Sequence, residues 1–252
     1  MSQLPLRWTT IVLGLVLVVS AGASESYSQE PKAGEQVDCV FKYKVDGKEK
    51  ELKYDLFVPA NYDDKKELPL MLFLHGAGER GSELAKVRAW GPPKIVKKKK
   101  DFPFIVISPQ CPSGAFWPQF DDVLAKLVDE VAGELKVNKS KMYCTGLSMG
   151  GFGTWSLCAK HPKLFAAAAP ICGGGKPSSA LDLKDLPIWA FHGDADKVVP
   201  YSYSEKLVNA IKEAGGKQIK FTTYKGVGHN SWSQAYATQE LYDWMLSHSR
   251  KK

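Results

Sequence analysis

The chain has 252 residues, of which 44% are hydrophobic and 24% charged, and its formal net charge is +7. That length can bury one sizeable α/β core, and the composition excludes disordered, collagen-like and disulfide-scaffold classes. The positive excess is partly local, with Lys94, Lys97, Lys98, Lys99 and Lys100 in "KIVKKKK". No aromatic residues interleave the run, so it reads as a solvated helix end and not as a nucleic-acid surface.

In chain order, "MSQLPLR" carries one positive charge, "WTTIVLGLVLVV" is apolar, and "SAGA" closes on a small-x-small pattern. This layout predicts a signal peptide over residues 1–23, cleaved after Ala23, and a secreted or periplasmic product. The alternative, an uncleaved anchor, needs an apolar run nearer the ~20 residues of a spanning helix, so no stable membrane insertion is expected. Cleavage removes Arg7 and lowers the net charge from +7 to +6. Residues 24–36 are polar and read as a flexible lead, and residues 37–252 as one folded domain. Five cysteines follow, Cys39, Cys111, Cys144, Cys158 and Cys172. Their number is odd, no C-x-x-C or metal-type spacing with histidine occurs, and their pairing stays unassigned.

"CVFKYKVDGKEKELKYDLFVP" alternates about Asp46-Gly47, which predicts a hairpin. Short apolar runs come next: "LPLMLFLH", "FPFIVISP", "KMYCTGL", "LFAAAAPIC", "LPIWAFHG" and "QIKFTTYKG". Consecutive apolar residues suit strands buried on both faces, as in a parallel sheet covered by helices. Helices are predicted over Asp121–Val137, Met149–Lys160, Ser202–Ala214 and Thr238–His248, where apolar residues recur at helical spacing. The expected architecture is one α/β domain, a mostly parallel sheet of about eight strands with an N-terminal hairpin and helices on both faces. Sites are expected at the carboxyl ends of its strands.

"HGAGERG" contains Gly76-x-Gly78-x-x-Gly81 after a strand, which imitates a dinucleotide fingerprint. That reading wants an acidic residue ending the next strand, and Asp101 precedes "FPFIVISP" instead. The stronger signal is "CTGLSMGGFG", where Ser148 stands between Gly146 and Gly150 at a strand-to-helix junction. Such an elbow aims a serine hydroxyl outward. A hydroxyl is a poor nucleophile, so it needs a base, and the base an orienting acid, in the chain order Ser, Asp or Glu, His.

Of the five histidines, His75 and His192 close strands, His161 ends the helix after the elbow, and His248 lies in the last helical turn. His229, in "YKGVGHNSW", follows the last strand and is the candidate base. Asp194 and Asp196 both follow "PIWAF"; Asp196 is the preferred acid and Asp194 the alternative, otherwise a turn residue bonding nearby amides. The candidate oxyanion donors are the backbone N–H groups of Met149 and Ala77, with Gly78 as runner-up.

"HGAGERGSE", "SPQCPSGAFW", "GLSMGGFGTW", "HGDADKVVP" and "GVGHNSW" occur in order across nearly the whole chain after residue 23. This set resembles the α/β-hydrolase family, and within it the secreted esterases grouped with feruloyl esterases, polyhydroxybutyrate-depolymerase-like proteins and predicted peptidases of the phospholipase/carboxylesterase type. The resemblance implies an acyl-serine mechanism with Ser148, Asp196 and His229 as triad, and neither cofactor nor metal. It also implies that Trp117 and Trp232 lie near the substrate pocket, core packing being the alternative for both. Few residues separate "LFAAAAPICG" from "LPIWAFHG", where relatives often insert a lid, so an open site is expected. The expected substrate is a small or polysaccharide-linked ester. The competing readings are a serine peptidase of prolyl-oligopeptidase type and a non-catalytic binding protein of this fold. Such peptidases usually carry a gating domain for which this chain has no room.

Overall fold

A computed structural model describes residues 31–63 and 65–250; the predicted signal peptide and residues 24–30 of the lead lie outside them. The hairpin forms as expected, from β1 (Gln36–Val45) and β2 (Lys48–Phe57). Asp46 and Gly47 take φ of 51° and 73°, the positive pair that a two-residue turn matching strand twist requires. The end of the lead is tied down, because the Gly34 N–H donates to the Val58 carbonyl at 2.7 Å.

Strands β3 (Leu68–Leu74), β4 (Ile105–Pro109), β5 (Val137–Leu147), β6 (Ala167–Ile171), β7 (Ile188–Gly193) and β8 (Ile219–Tyr224) complete one eight-stranded sheet. Its order is β1-β2-β4-β3-β5-β6-β7-β8. The pairings β1–β2 and β2–β4 are antiparallel and those from β4 to β8 parallel.

Both faces of β3, β4, β6, β7 and the second half of β5 are buried, which accounts for their unbroken apolar runs, whereas β8 at the sheet edge has no fully buried residue. Along β3, Leu70, Leu72 and Leu74 join one core while Met71 and Phe73 join the other. The first core is covered by α2 (Asp121–Glu134), α3 (Met149–Lys160), α4 (Ala180–Leu183) and α5 (Ser202–Glu213), through residues such as Leu127, Leu157 and Leu207. The second is covered by α1 (Gly91–Ile95), α6 (Trp232–Ala237) and α7 (Gln239–Leu246), with Tyr236, Leu241 and Met245. Each fully buried side chain of this size contributes roughly 1.5–3 kcal/mol through lost apolar exposure.

The four long helices fall within one to three residues of their predicted ends. Val137, expected to end α2, opens β5 instead, where it pairs with Leu68. Between β6 and β7 stand only a 3₁₀ turn at Pro177–Ser179 and α4, so no lid covers this rim among the described residues. None of the helices in the described residues is long and apolar enough to cross a membrane.

Candidate active site

The loops after β3, β5, β7 and β8 emerge on one rim of the sheet. Ser148 stands between β5 and α3 with φ 53° and ψ −118°, a conformation that costs a non-glycine residue on the order of 1–3 kcal/mol. The flanking glycines make the elbow possible. A Cβ at Gly150 would lie 1.8 Å from the Leu74 carbonyl oxygen, and one at Gly146 2.4 Å from that of Gly150. The Ser148 N–H donates to the Ile171 carbonyl at 3.0 Å, which pins the turn to β6.

The Ser148 Oγ lies 2.8 Å from His229 Nε2, and His229 Nδ1 lies 2.7 Å from Asp196 Oδ2. With Asp196 ionised, Nδ1–H donates to the carboxylate and Nε2 accepts the serine hydroxyl. Asp196 Oδ1 accepts the Val198 and Val199 N–H groups at 2.8 and 3.0 Å. Burial alone would raise its pKa. The His229 ring and these two N–H groups outweigh burial and hold it below the ordinary carboxylate value. Asp194 does not reach the histidine. Its Oδ1 accepts the Gly226 N–H at 2.6 Å, which ties the β7 turn to the loop carrying His229.

His192 has a part that sequence reasoning missed. Its Nε2 sits 3.2 Å from Asp196 Oδ2 and 3.0 Å from the Val199 carbonyl. Both are acceptors, so Nε2 carries the proton. Nδ1 lies 2.8 Å from the Ser204 hydroxyl. Burial lowers the pKa of this ring, so it stays neutral and acts as a second donor to the acid. The available signal was its position four residues before Asp196 at the end of β7.

The loop after β3 passes beside the nucleophile, since a Cβ on Gly76 would lie 3.7 Å from that of Ser148. His75 clamps this loop: its Nε2 accepts the Cys111 N–H at 3.0 Å, leaving Nδ1–H to donate to the Gly76 carbonyl at 2.6 Å. Burial pushes its pKa down to about 4, so the ring is neutral at ordinary pH. Ala77 opens a 3₁₀ turn and Met149 opens α3. Their N–H groups therefore lie in first turns, where no intrahelical acceptor exists. Gly78 is exposed beside them.

Among the described residues, no cluster of three His, Cys, Asp or Glu side chains is arranged to hold a metal ion. A sheet rim that carries a strained serine, a histidine and a carboxylate in hydrogen-bonded sequence is the geometry of a serine hydrolase.

Residues 102–242 match the family model described as phospholipase/carboxylesterase, more than half of the chain. The chain belongs to the phospholipase/carboxylesterase family. Its members are ester hydrolases of the α/β-hydrolase fold, and this chain is a carboxylic ester hydrolase of that fold. It is 24% identical over 227 residues to a probable feruloyl esterase C of Aspergillus oryzae, covering 88% of this chain and 82% of the relative. It is 32% identical over 132 residues to poly(3-hydroxyalkanoate) depolymerase C of Paucimonas lemoignei, covering 46% of this chain and 29% of that one. The solved structure of a thermostable esterase superposes with a TM-score of 0.71 at 36% identity. That match covers 84% of this chain and 63% of the other.

In this esterase the two tryptophans separate. Trp232 stands edge-on to His229, with ring centroids 5.3 Å apart, and lines a cavity of about 250 Å³ with Trp90, Lys94 and Tyr236. Trp117, expected at the pocket, is fully buried and lies in the core instead. Its indole N–H donates to the His75 carbonyl at 2.9 Å, and its ring packs where Gly153 leaves room. Cys111 and Cys172 are also buried, and burial pushes their thiols up to about 11 and about 12, away from the reactive thiolate.

Proposed function

We propose that this esterase is exported and cleaves carboxylic esters through an acyl-serine intermediate, with Ser148 as nucleophile, His229 as general base and Asp196 as orienting acid. The observation that carries the reading is the unbroken pair of hydrogen bonds from Ser148 to His229 and from His229 to Asp196, 2.8 and 2.7 Å long. Export is supported by the charged, apolar and small-residue order of residues 1–23.

In the first half-reaction Ser148 Oγ attacks the ester carbonyl as its proton passes to His229 Nε2. The carbonyl oxygen becomes an oxyanion, for which the Ala77 and Met149 N–H groups are the proposed donors; one such donor is worth ~10²–10³ in rate. Collapse breaks the bond to the alkoxy oxygen, which takes the proton from His229 and leaves as the alcohol. Water then enters, gives its proton to His229, and attacks the acyl carbon. Collapse of this second oxyanion returns the proton to Ser148 and releases the acid. Asp196 stays ionised throughout and stabilises the imidazolium formed in each half.

The feruloyl esterase and polyhydroxyalkanoate depolymerase relatives, and the absence of a lid segment between β6 and β7, favour an ester group presented on a polymer or small molecule. The test compares hydrolysis of p-nitrophenyl acetate and methyl ferulate with that of a prolyl amide. Ester cleavage in clear preference is expected; amide cleavage without ester preference would favour the peptidase reading instead.

A further inference from the structure

The turn after β3 is held by its carbonyls. The Gly76 carbonyl accepts His75 Nδ1–H at 2.6 Å, the Ala77 carbonyl accepts Arg80 Nε–H at 3.1 Å, and the Glu79 carbonyl accepts an N–H of Gln110 Nε2 at 3.0 Å. Each bond fixes more than one atom. A trans peptide is planar, so the carbonyl of one residue and the N–H of the next point in opposite directions across one plane. His75 thereby aims the Ala77 N–H, and Arg80 aims the Gly78 N–H. With the planes on both sides of Ala77 held, neither φ nor ψ of that residue is free to turn. The Ala77 and Gly78 N–H groups open the 3₁₀ turn and have no acceptor within it. A Cβ at Gly78 would meet nothing within 4 Å, so the outer edge of the turn is open.

Arg80 is the charged member of this set, and it reaches a second loop. Its Nη1–H donates to the Ala115 carbonyl at 3.2 Å, in the segment after β4, and the Phe116 ring centroid lies 5.1 Å from the guanidinium carbon. A planar fork can bond carbonyls of two loops and stack on a ring at once, which a lysine ammonium cannot. The same two segments are joined by the Gly81 N–H, which donates to the Cys111 carbonyl at 3.0 Å, and by Gln110, which also reaches the Glu83 carbonyl at 2.9 Å. The partners of Arg80 are two carbonyls and a ring, none of them a carboxylate. A cation bonded to a carbonyl polarises that peptide and strengthens the donor on its other edge. The charge also reaches the loop interior. Burial is the main reason that the His75 pKa falls to about 4; the Gly76 carbonyl opposes it and the Arg80 charge adds to it. A neutral ring keeps Nε2 as the acceptor of the Cys111 N–H.

We infer that Arg80 is a positioning residue for the oxyanion hole: it fixes and polarises the Ala77–Gly78 peptide against the loop after β4, and so sets the direction of the donors that this turn offers beside Ser148. The inference rests on the acyl-serine reading above and names the side chain that holds the donor turn of that reading in place. Arg80 acts through the backbone it bonds and not by touching the ester.

The test has a kinetic arm and an inhibition arm, both on the full chain with p-nitrophenyl acetate as substrate. Arg80→Met removes the bonds to both carbonyls and is expected to lower kcat about tenfold or more, part of what a whole oxyanion donor is worth, with KM within about twofold of wild type. Arg80→Lys keeps the charge without the fork and should recover part of the loss. In the second arm a methyl trifluoromethyl ketone is the inhibitor, because its adduct with the Ser148 hydroxyl carries the oxyanion without turning over. Its Ki is expected to rise in each variant by the factor that kcat/KM falls, which a general loosening of the fold would not produce. If Arg80→Met fails to fold, Arg80→Lys and Arg80→Gln carry the same comparison. The inference is overturned if kcat falls while Ki stays unchanged, if KM alone rises, which would make Arg80 a substrate contact at the mouth, or if every variant stays within about twofold of wild type. The parent reading fails separately, if the ketone does not inhibit wild-type enzyme or binds Ser148→Ala equally well, whatever the Arg80 variants show.

Discussion

Asp194 and Asp196 stand two residues apart after the same strand and do different work. Asp196 is buried and accepts four hydrogen bonds, two of them from histidine rings. Asp194 accepts one amide from a neighbouring turn. Asp196→Asn is therefore expected to lower kcat ~10⁴-fold, because an amide no longer enforces the histidine tautomer. Asp194→Asn keeps an oxygen for the Gly226 N–H and should stay within about tenfold of wild type. Steady-state kinetics of the two variants decides, and the reverse order would move the acid to Asp194. At Ser148 the positive φ predicts a trade between activity and stability. Ser148→Gly should abolish turnover and raise stability by about 1 kcal/mol in thermal or urea melts, since glycine tolerates this conformation. A drop in stability would mean that the hydroxyl's bonds outweigh the strain. These residues were legible in the sequence because the chemistry restricts both residue type and chain order. Trp117 was not, since whether a tryptophan next to a site faces a cavity or the core depends on what packs above it. Gly153, which makes its room, reads in sequence as one more glycine of the elbow.

At the scale of elements, the acid is held by more than its own loop. His192 at the end of β7 and Ser204 at the start of α5 form a chain that reaches the carboxylate from behind, and the Ser204 hydroxyl also lies 2.9 Å from the Gly173 carbonyl. His192 is thus a positioning residue for Asp196. His192→Leu should lower kcat about tenfold with KM little changed, and His192→Gln, which restores a donor, should recover part of the loss. Equal losses in both variants, or a rise in KM alone, would make its role only structural. The parallel strands and long helices were legible because burial on both faces writes unbroken apolar runs and amphipathic helices write a 3.6-residue period. The first half of β5 was not. Asn138, Lys139 and Ser140 look like a turn, and they lie in an irregularity of the ladder between Val137, which pairs with Leu68, and Met142, which pairs with Leu70. The short α1, α4 and α6 carry too few turns for a period to show.

The whole molecule is held by two cores flanking one sheet, without covalent cross-links among the described residues: all five cysteines are free and buried. Burial pushes the Cys39 thiol up to about 12. A reductant should therefore leave the melting temperature unchanged, and DTNB should count five thiols only after denaturation. Rapid titration of any of them in the native protein would show an opening that this packing does not have. The same architecture places the loops of β3, β5, β7 and β8 on one rim, and the central claim is that these loops form an acyl-transfer site built on Ser148. The most direct measurement is mass spectrometry of the protein quenched during turnover of a slowly deacylated ester. The account predicts one acyl group on the peptide containing Ser148, absent in Ser148→Ala and formed far more slowly in His229→Ala. An acyl group on another residue, or brisk turnover with none on Ser148, would contradict it.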